Sequence, residues 1–441
     1  MKNRKLIKLI AAGLALSACA AFALGGFFGS TASADSGAAA ESAPDLVSSA
    51  TRAAGSAGQP VNDAAYGSPI LSAAELFSTR DLEQSPDLSR AEILTVSDGE
   101  EIVISSEGVY LLRGSAKNAS VTVDADSSAK VQLVLDGVSI VNDRAPCIYV
   151  KSADKVFLTT LSDSSLSVTG AFSSDGQVKT DAVIFSRDDL VLNGTATLSI
   201  SSSENGVSSK DDLKITGGSY VISASSKCLE AKDSLRISDG VFTLSAGTDA
   251  LHAENDEDDS LGYIYIGGGS FSIRAGDDGV QAEAFVQIDG GSLSISAAEG
   301  IEGTYVQLNG GSIEIDSWDD GVNAAAKSSA YPVCVEINGC ELSITMSAGD
   351  TDGVDSNGSI VVNDGLVSVT GNSSFDYESS GTLNGGTVIV NGQTVSTLPN
   401  QMMGGFGGGF GGQPGGMGGG FGGGFGGQPG GQPGSQPGGR R

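Results

Sequence analysis

Apolar and polar positions alternate along this chain in short runs, and the runs recur. Leu213-Lys-Ile-Thr-Gly-Gly-Ser-Tyr-Val-Ile-Ser-Ala, Ile264-Tyr-Ile-Gly-Gly-Gly-Ser-Phe-Ser-Ile-Arg-Ala and Val306-Gln-Leu-Asn-Gly-Gly-Ser-Ile-Glu-Ile-Asp-Ser are versions of one unit. The unit begins at Leu190, Leu213, Leu235, Ile264, Val286 and Val306, at steps of 23, 22, 29, 22 and 20 residues. A period of two within each run predicts β-strands with one buried face. Gly-Gly pairs such as Gly217-Gly218 and Gly310-Gly311 mark one corner. Asp-Gly or a relative (Asp278-Gly279, Glu299-Gly300, Asp320-Gly321, Asp352-Gly353) marks a second, and a third short strand follows it.

Three short strands and three corners per repeat describe one coil of a parallel β-helix, an all-β solenoid, and about eleven coils are expected. Ankyrin and TPR units need helical periodicity, which is missing, and propeller blades need about 40–45 residues. The expected interior is a stack of rows. Ile215, Ile237, Ile266, Ile288, Leu308 and Ile337 form one; Tyr220, Phe242, Phe271, Leu293, Ile313 and Leu342 form the next. Residues 101–123 fit no Gly-Gly unit and are expected to close the first end.

The ends differ from the middle. Lys2, Arg4, Lys5 and Lys8 precede an apolar stretch over residues 9–28, the pattern of an export signal. Ala32-Ser-Ala34 offers a cleavage site, the favoured reading, giving a signal peptide over residues 1–34. Leu16-Ser-Ala-Cys19 resembles a lipobox that would leave a lipid on Cys19, and an uncleaved anchor is a third possibility. Each reading puts the rod outside the cell, with membrane contact only through such an anchor. Residues 35–75, rich in Ala, Ser and Gly, read as a linker, residues 76–398 as the β-helix domain, and residues 399–441 as a disordered Gly-, Phe-, Gln- and Pro-rich tail. The mature chain keeps Cys147, Cys228, Cys334 and Cys340, for which buried free thiols are the default.

Charge narrows the chemistry. With 53 acidic and 24 basic side chains the net charge is −29, which excludes a nucleic-acid partner. The second corner stacks Asp249, Asp278, Glu299, Asp320 and Asp352, with Asp277 and Asp319 beside it. Like charges about 5 Å apart cost on the order of 1–3 kcal/mol per pair, so the row calls for cations, raised pKa values or splayed side chains. Oxygen-only ligands outside the cell point to Ca²⁺; plain Asp-Gly turn chemistry is the alternative. Asp256 and Asp258 belong to an inserted acidic loop, Glu254-Asn-Asp-Glu-Asp-Asp259, that either shares the calcium or stays apart as a repelling loop.

The outward positions give flat polar faces suited to an extended sugar chain. Lys214, Arg236, Tyr265 and Arg274 lie there, and Trp318, the only tryptophan, is the candidate stacking platform. His252 is the only histidine, which argues against a His-based triad or zinc site, and it is expected at the surface.

Several phrases then carry a resemblance: Leu135-Asp-Gly-Val-Ser-Ile, Ser209-Lys-Asp-Asp-Leu-Lys-Ile-Thr-Gly-Gly, His252-Ala-Glu-Asn-Asp-Glu-Asp and Ala275-Gly-Asp-Asp-Gly-Val-Gln-Ala. Over roughly residues 76–398 the chain resembles secreted bacterial carbohydrate-binding proteins with a pectate-lyase-like, right-handed parallel β-helix. The resemblance implies bound Ca²⁺ and affinity for cellulose and acidic sugars such as polygalacturonate. Ser226-Lys227-Cys228 departs from the acidic corner, which places any metal or sugar site in the middle and C-terminal coils. The reading is a non-catalytic, calcium-assisted polysaccharide binder at the cell surface, expected to be a monomer. A calcium-dependent lyase using Arg274 or Arg236 as base, and a structural adhesin or coat protein, are the alternatives.

Overall fold

The structure is a computed structural model that describes residues 68–400, apart from Gln177 and residues 348–350, together with the backbone of Ile7–Ile10. It is almost wholly β-strand, and the strands stack in parallel in three columns. The repeat starts lie in one register: Leu190 pairs with Leu213, Leu213 with Leu235, Leu235 with Ile264, Ile264 with Val286, and Val286 with Val306. The fold is therefore a parallel β-solenoid in which residues one repeat apart are spatial neighbours.

Both expected core rows hold. Ile215 to Ile337 align rung by rung, as do Tyr220 to Leu342, and all twelve side chains are buried. Within the second row Tyr220 and Phe242 stack at 5.3 Å between centroids, and Phe242 and Phe271 at 4.4 Å. Parallel stacking of similar rungs puts like side chains over like, so Phe242 finds a flat aromatic partner on each side.

The two glycine corners work differently. Gly311 sits at φ 90, a left-handed conformation that only glycine adopts cheaply. Gly279 has no such φ; a Cβ there would lie 2.6 Å from the carbonyl oxygen of Gly300 in the next rung. Its role is close approach between rungs rather than turn conformation.

Residues 101–123 do not cap the end. Glu101–Ile104 and Ser120–Asp124 pair in parallel with each other and then with Ile148–Ser152, so they are rungs of the third column. The repeat misses them because Gly108–Lys117 runs through its corner as one strand, with a register shift between Leu112 and Gly114 in place of a Gly-Gly break.

Residues 68–84 form a strap across the outside of the first strand column. The backbone of Ile70 and Leu71 donates to the Oε1 atoms of Gln307 (3.1 Å) and Gln287 (2.7 Å). A short helix follows at Ala73–Leu76, and Gln84 then reaches Thr216 and the Gly194 amide. The expected linker over residues 35–75 thus includes residues packed on the solenoid from Ser68 onward; its earlier part, the signal region's side chains and the Gly-rich tail beyond Asn400 lie outside the described residues. No helix among the described residues is long and apolar enough to cross a membrane. Cys147, Cys228, Cys334 and Cys340 are buried free thiols, as expected.

Candidate functional site

The third strand column carries the chemistry. Its outward row reads Ser208, Glu230, His252, Gln281, Glu302, Asn323, Asp355 and Asp376, each paired with the next across neighbouring rungs. Beside it, at the corner, run Asp249, Asp278, Glu299, Asp320 and Asp352: Asp278 is in register with Glu299, the Asp278 amide faces Asp249 Oδ1 at 3.4 Å, and the Asp352 amide donates to Asp320 Oδ1 at 3.0 Å. The acid ladder read from the sequence is therefore present.

The corner also explains why two acids of one strand meet. In the Glu299–Gly303 strand the Cβ direction of Gly300 and the side chain of Ile301 both face the core, which breaks strict alternation. Glu299 and Glu302 consequently share the outer side. Together with Asp278 they offer three carboxylate oxygens within 4.8 Å of one another.

Their environment opposes three negative charges. Burial, then Glu299, Glu302, Asp249 and Asp277, push the Asp278 carboxyl up to about 9. Burial and then Glu302 push Glu299 up to about 7, although Asn323 Nδ2 donates to it at 3.0 Å. One and two rungs beyond Glu299, burial with neighbouring acids raises Asp320 to about 6 and Asp355 to about 7. The protein's own cation here is Lys327, whose Nζ lies 2.6 Å from Glu302 Oε2, an oxygen that also accepts from Gln281 at 2.8 Å. Asp278 makes no ion pair among the described residues. A dry, oxygen-only donor set with too little positive charge fits a hard divalent cation.

Not every expected ligand joins this set. Asp249 lies next to Asp278 but faces His252, with Oδ2 3.0 Å from Nδ1 in a contact too poorly directed to satisfy that nitrogen as a hydrogen bond. His252 is 5% exposed and not a surface residue; Glu254 approaches its Nε2 at 3.2 Å, and a cleft of about 280 Å³ opens between them and Lys210, Glu230 and Lys232. Asp277 and Asp319 are exposed beside the ladder. Asp256 and Asp258 stand away from it: Asp256 lies 3.8 Å from Lys232, and Asp258 caps the Ser260 amide and hydroxyl. The acidic loop is organised by Asn255, which is buried and bonded to Asp233, Glu283 and the amides of Glu257 and Asp258. That makes it a hydrogen-bonded turn. Glu302 was not among the expected ligands because it belongs to the outward row of Glu230, Gln281 and Asp355, read as a column apart from the corner acids.

The sugar-face residues divide sharply. Trp318 is 48% exposed at the corner after the second column, and Arg274 is exposed on that column's flat face among Ser223, Ser245, Ser296, Asp316 and Thr345. Lys214, Arg236 and Tyr265 are buried and so do not form a ligand surface. The strap's Asp81 takes Lys214 at 3.3 Å, Asp212 takes Arg236 at 2.6 Å, and Phe77 of the strap lies 6.3 Å from the Tyr265 ring. The first column is outward by strand geometry, but the strap covers it. Burial also removes Arg236 from any role as a lyase base.

Residues 98–353 match the family described as carbohydrate-binding domain-containing protein. A relative of that description from Acetivibrio thermocellus is 34% identical over 134 residues, which is 29% of this chain and 46% of the relative. The chain therefore spans less than half the length of that curated relative. A solved structure of a polysaccharide lyase-like protein from C. thermocellum, a gadolinium derivative, aligns at 26% identity with a TM-score of 0.43, covering 58% of this chain and 97% of the other.

Proposed function

Since this chain belongs to the family of carbohydrate-binding domain-containing proteins, we propose that it is an exported, non-catalytic binder of extracellular polysaccharide, taking cellulose or acidic glycans of the pectate kind. With this reading goes a right-handed winding of about eleven coils, a monomeric state and attachment to the cell surface, if any, through the N-terminal segment or a lipid on Cys19.

Asp278, Glu299 and Glu302 would hold Ca²⁺, with Asp320, Asp352 and Asp355 as a second group of acids along the same row. The cation supplies positive charge to a buried carboxylate cluster and a bridge to a uronate carboxylate. Without it, a protein of net charge −29 repels an anionic chain. The observation that carries the reading is the convergence of three carboxylate oxygens within 4.8 Å at the centre of a solenoid whose family binds carbohydrate. Trp318 and the flat face around Arg274 supply stacking and hydrogen bonds for the sugar rings.

Pull-down on insoluble polygalacturonate tests this. We expect retention with millimolar Ca²⁺, release by EDTA, and loss of the calcium effect in Asp278→Asn. Retention indifferent to chelator and to Asp278→Asn overturns the metal's part in it.

A further inference from the structure

The third column carries a second recess, far up the rod from the acid cluster. It lies over the first rungs as an open recess of about 1130 Å³, lined on its sides by residues 143–146 and 173–175. This is the size of a ligand cleft, and its walls are fixed by specific bonds. Ser173 donates its amide and hydroxyl to the Arg144 carbonyl at 2.8 and 3.1 Å, and Asp175 and Val178 exchange backbone hydrogen bonds of 2.9 Å. Under the floor, Asn142 is 2% exposed. Its Nδ2 is spent on the carbonyls of Ala119, Ala145 and Pro146, while its Oδ1 has no partner among the described residues. A buried acceptor left unmatched is costly unless a donor arrives from outside.

The lining chemistry selects among sugars. Asp98, Glu100, Glu101, Asp143 and Asp175 line the recess with Arg144 and Lys151. Both cations already have acids beside them, Asp143 at 3.4 Å from Arg144 and Asp124 at 3.4 Å from Lys151. A uronate carboxylate entering here meets surplus negative charge, with Arg187 beside the Tyr149 hydroxyl as a third neighbouring cation. Sugar hydroxyls, by contrast, donate to carboxylates in short charge-assisted bonds. Tyr149 contributes an aromatic ring to the lining, held by its hydroxyl on Asp175 Oδ2 (3.2 Å) and by edge contact with Phe185.

We propose that this recess is a metal-independent subsite for a neutral oligosaccharide, separate from the acid cluster that serves acidic glycans. The proposal rests on the reading that the chain binds carbohydrate, and it assigns the neutral and acidic ligands to separate stretches of one face, the first rungs and the middle ones.

Calorimetry on the mature protein tests it, with cellohexaose in EDTA as one probe and hexagalacturonate in Ca²⁺ as the other. Cellohexaose is expected to bind in EDTA, to weaken roughly tenfold in Asp175→Ala, the scale of one charge-assisted hydrogen bond, and to be unchanged in Asp278→Asn. Tyr149→Phe keeps the ring packing while freeing Asp175, and is expected to change cellohexaose binding only. Hexagalacturonate should show the reverse sensitivities. If hexagalacturonate binds and cellohexaose does not, or if cellohexaose binding needs Ca²⁺ or ignores Asp175→Ala, the neutral subsite is overturned while the parent reading stands. If neither saccharide binds, both are overturned.

Discussion

Glu230 and Asp278 sit on the same face of the solenoid, within two rungs of each other, and both are desolvated. Their carboxyl groups nevertheless behave in opposite ways. Burial disfavours the charge on Glu230, yet Lys210 at 3.1 Å, the Ser208 hydroxyl and Lys227 at 3.3 Å hold it down to about 2. Asp278, among acids, is pushed up to about 9. The backbone is the same; the difference is whether neighbouring rungs supply lysines or more carboxylates. A repeat scaffold thus writes local charge by stacking, and one face holds a self-neutralised stretch and a stretch of surplus negative charge.

The contrast can be broken from either side. Replacing Lys210 and Lys227 together by Met leaves Glu230 buried and unpaired. A fully buried pair would lose about 3–5 kcal/mol; because Lys210 is 38% exposed at its side chain, a loss of about 2–3 kcal/mol is expected in urea unfolding.

A pH titration of thermal stability in EDTA addresses both halves. The raised carboxyls of Asp278, Glu299, Asp320 and Asp355 destabilise the folded state once ionised, fully above their folded values and not at all below the ordinary carboxylate range. Their contribution should therefore raise Tm by a few degrees as pH falls from about 9 toward 5. Glu230, with its lowered value, stabilises above the ordinary carboxylate range and loses that contribution as pH falls toward about 2. Calcium should flatten the first limb only; a Tm that falls steadily from pH 9 to 5 would contradict the assignment.

The gentlest test moves a lysine across. Asn323 lies in register between Glu302 and Asp355, so Asn323→Lys brings the balanced pattern into the acid stretch. Stability without calcium should rise by about 1 kcal/mol, and the calcium-induced shift in Tm should shrink. An unchanged calcium response would show that the row is not where the metal acts.

The rows of the core were legible because a two-residue alternation inside a 20–29-residue spacing leaves one consistent register, as from Ile215 through Ile288 to Ile337. The acid ladder followed from the same register. Glu302 was legible as an outward residue but not as a partner of Glu299, because the strand row and the corner acids were read as separate columns, and it is the inward Gly300 and Ile301 between them that leave both acids on one side. Tyr265, Lys214 and Arg236 were assigned the correct outward direction and the wrong exposure: a segment nearly two hundred residues away from Tyr265 in sequence covers them, and no local pattern announces that contact. His252 is enclosed by Asp249 and Glu254 for a related reason, since the acidic insertion folds back through Asn255.

The strap has a consequence for assembly order. Ile70 is bonded to Gln307 across a sequence separation of 237, and Lys214 to Asp81 across 133. Rung-on-rung pairing needs only neighbours about one repeat apart and can spread as the chain lengthens. Synthesis from the N-terminus delivers residues 68–84 long before the glutamines that receive them. This early piece of the chain must wait, and it takes its place only after the middle rungs have wound beneath it.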